Sequence, residues 1–196
     1  MTAAFEKGEP VTLPSANTIA DGTAVKRVGE TIFPYCKENI HKIITVDDNE
    51  LIGAFLDMVE NHKMIVENSG LLPVAALSHL DLKDKKAVVV LSGGNMDVIT
   101  MSSIVQHGLI QKDRIFSVSV LLPDKAGELV KVASIIAKEK GNVIKLEHNQ
   151  FVSINRINAV ELRVTMEAYG TEHKLSILKA LEEAGFEPKV VDTKLY

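Results

Sequence analysis

Phe116-Ser117-Val118-Ser119-Val120-Leu121-Leu122 decides the reading of the second half of this chain. Its even positions are apolar, and Ser117 and Ser119 point the other way. A period of two is the signature of a half-buried strand. Pro123 and Asp124 end it. Leu129, Val132, Ala133, Ile136 and Ala137 follow at helical spacing, and Gly141 is expected to stop that helix. Asn142 to Phe151 reads as a second strand. Val160, Leu162, Val164, Met166 and Ala168 alternate with Glu161, Arg163, Thr165 and Glu167 in a third. Ile177, Leu178, Leu181 and Ala184 share one face of a second helix ended by Gly185, and Lys189 to Asp192 is a last short strand. The order β-α-β-β-α-β is the split βαβ, ferredoxin-like arrangement. It predicts two amphipathic helices on one face of an antiparallel sheet. Ser, Glu, Arg and Thr on the opposite face are expected to be open to solvent or a partner.

Upstream of about residue 112 the pattern changes. Short apolar runs alternate with helical spacing, which predicts an αβα layered α/β architecture. The stretch through Thr23 reads as irregular. Glu30 to Asn39 reads as a helix with Pro34 near its first turn, and Ile43 to Val46 as a buried strand. Asp47 and Asp48 offer N-cap carboxylates to a helix carrying Leu51, Ile52, Phe55, Leu56 and Val59. Ser69 is expected to cap a helix from Leu71 to Leu80. Lys86-Ala87-Val88-Val89-Val90-Leu91 suits an interior strand covered on both faces. It ends in Ser92-Gly93-Gly94-Asn95, and a helix is expected from near Asp97 to about Gln106, with Gly108 marking its end.

Composition removes several function classes. The chain has 196 residues, 46% of them apolar, so it is globular rather than disordered. Net charge is -4, Trp is absent, and no basic stripe with interleaved aromatics is present, which argues against nucleic-acid binding. Apolar runs such as Ala87 to Leu91 fall far short of the roughly 18 residues that a membrane span needs. The first ten residues lack the apolar core of a secretory signal, and Cys36 is the only cysteine. Together these predict a soluble protein of the cytoplasm. The six histidines stand at no metal-site spacing, so no metal is expected.

Ser92-Gly93-Gly94-Asn95 is the first place where chemistry can sit, because open α/β sheets bind ligands beyond the carboxyl ends of their strands. The same residues serve equally as a plain strand-to-helix turn. Thr18-Ile19-Ala20-Asp21-Gly22 with Ala24-Val25-Lys26-Arg27, then Val66-Glu67, then Val90-Leu91-Ser92-Gly93-Gly94-Asn95 occur in that order. With the βαββαβ segment behind them, they make the chain resemble the C-terminal part of the threonine and serine dehydratases. These are fold type II pyridoxal-phosphate enzymes carrying a C-terminal ACT domain. The resemblance implies residues 1-111 as the C-terminal part of the cofactor domain and 112-196 as an ACT regulatory domain.

By that resemblance Ser92 is the serine that hydrogen-bonds the pyridine nitrogen. Gly22 is the glycine whose backbone lies against the ring, and Glu67 is a glutamate close to the cofactor. Gly93 belongs to the same cofactor-binding turn. A neutral hydroxyl does not enforce ring protonation as an aspartate would, so the cofactor is a moderate electron sink, suited to loss of a β-hydroxyl. The chain departs from many relatives in having Asn68-Ser69-Gly70 after the glutamate. The family's catalytic lysine, its glycine-rich phosphate loop and its substrate-carboxylate loop belong to an upstream half. The resemblance therefore implies a truncated or split enzyme with no catalytic residue of its own, inactive alone and partnered by the missing N-terminal half. The intact enzyme would convert L-threonine to 2-oxobutanoate and ammonia, or L-serine to pyruvate, within amino-acid metabolism such as isoleucine biosynthesis.

The second place is the turn from Leu122 to Leu129. Amide groups at a helix N-terminus suit a carboxylate, and Gly127 permits close approach. It resembles the ligand loop of ACT domains, which implies Asp124, Ala126, Gly127 and Asn142 as effector-binding residues, with valine, isoleucine, another amino acid or a nucleotide as effector. The plain alternative is a turn in which Asp124 caps the helix. Pairing into a homo-oligomer through the ACT part is expected. The competing function is a non-catalytic, amino-acid-binding ACT regulatory protein. A dehydrogenase-like nucleotide domain is disfavoured, since no G-x-G-x-x-G follows a strand.

Overall fold

A computed structural model describes residues 1-149 and 160-194. The chain divides into two compact units, Met1–Gly108 and Leu109–Tyr196.

The first unit is helical. α1 (Thr2–Lys7) ends at Gly8, whose left-handed φ of 79° closes the helix, so the opening stretch is more regular than the sequence suggests. α2 (Ile32–Asn39) carries buried Phe33, which meets Phe5 edge to face with centroids 5.9 Å apart. α3 (Asp48–Asp57) opens with a capping box. The Asp47 carboxylate accepts from the Glu50 amide at 2.9 Å, and the Asp47 amide donates to the Glu50 carboxylate at 2.7 Å. Asp48 has a different task from the one expected. Its carboxylate accepts from the Thr18 hydroxyl at 2.5 Å and from the Ile19 amide at 3.3 Å, tying the 18-22 segment to α3. Asp47→Ala removes the cap without touching the core. It is expected to cost about 1 kcal/mol in a denaturant titration; an unchanged midpoint would show that Glu50 alone holds the helix start.

α4 (Asn68–Ala75) begins three residues earlier than expected, and its N-cap is Glu67 rather than Ser69. Ser69 lies inside the first turn with its hydroxyl buried and without a hydrogen-bond partner among the described residues. Pro73 is accordingly inside the helix, not in its first turn, and a 3-10 turn at Ala76–His79 finishes the segment. α5 (Val98–Gln111) runs through Gly108 instead of stopping there. The reason is packing. Gly108 is buried, and a Cβ on it would stand 2.8 Å from Leu56 Cγ and 3.1 Å from Ile52 Cγ2, so this glycine lets α5 close on α3. Leu51, Ala54, Phe55, Met58, Val66, Leu71 and Ile104 form the core between these helices.

The strands expected at Ile43 to Val46 and Lys86 to Leu91 do not form, and the layered αβα arrangement is not seen among the described residues of this unit. Both segments are outside any ladder, and the unit's one bridge joins Thr12 to Arg27. A β-run is a strand only when a neighbour takes its amide and carbonyl groups. Here Val88 and Val90 are 93% and 70% exposed.

The second unit has the element order that the alternation predicts. β1 (Ile115–Leu122), α6 (Glu128–Lys138), β2 (Asn142–Asn149), β3 (Val160–Glu167), α7 (Thr171–Glu183) and β4 (Lys189–Val191) give a sheet in the order β2-β3-β1-β4. Every neighbouring pair is antiparallel, and β1 and β3 are in unbroken register from Ile115↔Glu167 to Leu122↔Val160. The expected end of β2 at Gln150 and Phe151 lies outside the described residues. Phe116, Val118, Val120, Leu122, Leu162, Val164 and Met166 face Val132 and Ile136 of α6 and Ile177 and Leu181 of α7. α6 stops before Gly141, with Lys140 in the left-handed region at φ 67°. Gly141 instead makes room for Ile136 and Ile177, whose side-chain carbons would lie 2.8 and 3.1 Å from a Cβ there.

The other sheet face departs from expectation. Ser117, Ser119 and Thr165 are buried, not open. The hydroxyls of Ser117 and Thr165, paired across β1 and β3, are 2.8 Å apart, and Ser119 donates to Glu161 at 2.5 Å, so the face satisfies its own polar atoms. At one end of the sheet Asp113 accepts from Lys174 at 2.7 Å and from Thr171 at 2.9 Å. The hydrogen bond from Lys174, more than that from Thr171, holds the Asp113 carboxyl below the usual carboxylate range.

Candidate functional site

Three short segments of the first unit converge. The first is the 3-10 turn Asp21–Thr23, fixed at Ile19 by Asp48 of α3. The second is the first turn of α4. The third is Ser92 to Asn95. Glu67 is their common neighbour. A Cβ on Gly22 would lie 3.5 Å from the Glu67 Oε1 and 2.7 Å from the Ser69 hydroxyl. A Cβ on Gly93 would overlap the Glu67 carboxylate outright, and Gly93 has a φ of 77°. The Asn95 amide points at Glu67 Oε2 at 3.4 Å. Gly22, Glu67, Ser92 and Gly93, which lie up to 71 positions apart (93 less 22), are thus brought together. Ser92 and both glycines are exposed, and Glu67 is half-buried. A cleft of about 250 Å³ opens beside them, lined by Thr18, Asp21, Glu67, Asn68, Asn95 and Thr100 among others. Asp97 caps α5 there, accepting from the amides of Ile99 and Thr100 at 2.9 Å and from the Thr100 hydroxyl. The Thr100 bonds, side chain first, lower the Asp97 carboxyl below its ordinary value.

Two residues that the sequence marks only as a departure from many relatives have roles here. Asn68 is buried, and its amide side chain donates to the Ile19 carbonyl at 2.9 Å, which joins α4 to the segment carrying Gly22. Gly70 is buried beneath Ser92: a Cβ on it would overlap the Ser92 carbonyl oxygen and stand 2.9 Å from its carbonyl carbon. A polar residue followed two places later by glycine at a helix start was the available signal, but it names no partner.

In the second unit Asp124, Ala126 and Gly127 are exposed in one loop, and Gly127, with φ 95°, is the N-cap of α6. Asp124 is therefore not the cap. Asn142 is not their neighbour in the chain. It pairs with Glu167, which pairs with Ile115, so it sits at the far end of β1, about 24 Å away at strand rise. Its side chain donates to Glu167 at 2.7 Å. The periodicity places Asn142 at a strand start but does not say at which end of the sheet that start falls. A groove of about 510 Å³ lies beside the loop, between Leu121, Pro123, Lys131, Ile135 and Phe186.

Among the described residues no group of three or more His, Cys, Asp or Glu side chains is placed to hold a metal ion, and no helix is long and apolar enough to cross a membrane.

Residues 1–93 match the family described as "Pyridoxal-phosphate dependent enzyme". An L-threonine ammonia-lyase of Geobacter sulfurreducens is 34% identical over 93% of the chain, and one of Thermotoga maritima is 30% identical over 97%. The biosynthetic L-threonine dehydratase IlvA of Escherichia coli is 26% identical over 98% of it. The chain spans 46%, 48% and 37% of the lengths of these three relatives. Across nearly all of its length, then, this chain resembles the threonine dehydratases, and its first 93 residues match the pyridoxal-phosphate-dependent enzyme family.

Proposed function

We propose that this chain is the C-terminal part of a threonine/serine ammonia-lyase, which converts L-threonine to 2-oxobutanoate and ammonia. In this reading residues 1-111 complete the pyridoxal-phosphate pocket. Residues 112-196 are a ferredoxin-like ACT domain that binds an amino-acid effector near Asp124, Ala126 and Gly127 and pairs with a second copy. The observation that carries it is the convergence of Gly22 and of the Ser92-Gly93 turn on the first turn of α4, where Gly22 and Gly93 meet Glu67 and the Ser92 carbonyl meets Gly70.

These residues fit a flat heteroaromatic group. Gly22 and Gly93 present bare backbone where any side chain would crowd Ser69 or Glu67. Ser92 supplies one neutral, exposed hydroxyl for a ring nitrogen, with no carboxylate of its own to force protonation. Glu67 lies against the 93-95 turn, with the Asn95 amide pointing at its carboxylate. When bound, the cofactor supplies an electron sink for loss of the substrate's α-proton and β-hydroxyl. The chain's own residues orient the ring. Ser92 would hold its nitrogen, and the backbone of Gly22 would lie against its face.

The test is keto-acid release from L-threonine with pyridoxal phosphate. The full chain is assayed alone and mixed with the N-terminal half of a family enzyme. Activity is expected only in the mixture, and Ser92→Ala is expected to lower it about tenfold, the value of one lost hydrogen bond. Activity of the chain alone, or a mixture indifferent to Ser92→Ala, would overturn the assignment.

A further inference from the structure

We infer that Gly70 is a positioning residue for Ser92, and this rests on the reading of Ser92 given above. The argument begins with a steric fact. Gly70 is the third residue of α4, and its amide donates to the Glu67 carbonyl at 2.9 Å, which fixes where its Cα stands. A side chain there would run into the Ser92 carbonyl oxygen and stand 2.9 Å both from the carbonyl carbon of Ser92 and from Val66 Cγ1. Two of these obstacles are backbone, so no rotamer change relieves them. The absent side chain is what lets the helix lie directly on the peptide that carries the Ser92 hydroxyl.

The neighbouring contacts make that seat specific. On the far side of Ser92, Gly93 with φ 77° and the Asn95 amide lie against the Glu67 carboxylate. One helical turn therefore holds the Ser92 turn from beneath through Gly70 and from the side through Glu67. The same turn grips the Gly22 segment through Asn68 and Ile19. Displacing the Ser92 carbonyl moves the hydroxyl relative to Gly22, because both are referred to α4. Hydrogen bonds tolerate little displacement, and a shift on the order of 1 Å in a positioning contact is enough to lose its effect.

The experiment compares Gly70→Ala with Gly53→Ala in the full chain. Gly53 is the control, since it lies in α3 with nothing within 4 Å of an added Cβ. Amide hydrogen exchange is measured first, without cofactor. Faster exchange at Asn95, whose amide points at Glu67, is expected in Gly70→Ala than in Gly53→Ala; equal rates overturn the inference. Pyridoxal phosphate is then titrated into the mixture with the N-terminal half, following its absorption spectrum. Gly70→Ala is expected to weaken binding about tenfold and to shift the bound-cofactor spectrum as Ser92→Ala does. In the Ser92→Ala background it should add nothing further, whereas additive losses would mean that Gly70 acts elsewhere. If Gly70→Ala alone fails to fold, Ser92→Gly, whose backbone is free to turn its carbonyl away, should restore folding; a double variant that stays unfolded overturns the pairing. Loss of all cofactor binding in the wild-type mixture would strike the reading of Ser92 itself, while the exchange rates still decide whether Gly70 fixes the turn.

Discussion

Ile136→Ala is expected to lower the unfolding free energy of the second unit by about 2-5 kcal/mol, read from the denaturant midpoint by far-ultraviolet circular dichroism. Ile136 is fully buried on α6 in the core beneath the sheet. It is also enclosed from the helix end. Gly141 folds back so closely that Ile136 Cγ2 would be 2.8 Å from a Cβ there, and the Gly141 amide donates to the Ile136 carbonyl at 2.9 Å. Backbone held on one side and strands on the other leave the site little freedom to collapse around the missing atoms. The cost should therefore fall in the upper part of the range, a large share of a small domain's total stability. A loss below about 1 kcal/mol would mean that α6 slides to fill the space.

Val88→Lys combined with Val90→Lys should act in opposite directions on two measurements. Val88 and Val90 are 93% and 70% exposed in an extended segment without a ladder partner, and Val98 and Ile99 are also exposed in the same unit. Apolar β-formers presented in this way drive self-association. Light scattering of the full chain should show concentration-dependent association that the two lysines abolish. In the mixture with an N-terminal half, the same variant should lose essentially all keto-acid release. If the segment becomes an interior strand in the assembled enzyme, two unpaired ammonium groups would enter a water-excluded sheet. Full activity of the double variant would show that this segment stays at the surface after assembly.

These two regions also show what the sequence can and cannot display. β1 and β3 were legible because each carries its evidence in its own side chains: alternation states both the element and the face that is buried. Alternation also excludes a register slip of one residue, which would turn Val164 and Met166 outward, but it leaves slips of two open. The N-cap carboxylate of Asp47 was legible for the same reason, since it and the amide it caps lie within four residues, whereas the return contact of Glu50 was not read. Lys86 to Leu91 misled because its β-branched composition states a preference that only a neighbouring strand can satisfy. Gly108 misled because glycine has two uses, ending a helix or admitting another one, and only the position of Leu56 tells them apart. At the candidate site, Ser92 and Gly93 were singled out by their place after an expected strand, and Gly22 and Glu67 only through a resemblance. Asn68 and Gly70 were not. Their meaning lies in the Ile19 and Ser92 carbonyls, and a backbone oxygen leaves no mark on the sequence. Asn142 was named beside the Gly127 loop through the same kind of resemblance, and the two residues flank opposite ends of α6.

The order β2-β3-β1-β4 has a consequence for how the second unit comes into being. The strand made first is a central one. β1 pairs with β3, whose residues lie 38 to 52 positions later, from 160 less 122 to 167 less 115, and with β4 beyond that. During synthesis from the N-terminus, the apolar row Phe116, Val118, Val120 and Leu122 leaves the ribosome before either of its hydrogen-bonded neighbours exists. Within the second unit, α6 is the first element made after it that can shelter it. Closing these long loops must precede the reward of pairing, which sets a slow pace for folding. The strong amphipathic face of α6, with Val132 and Ile136 fully buried, thus has an earlier duty than stability: it is the first cover for a strand that must wait.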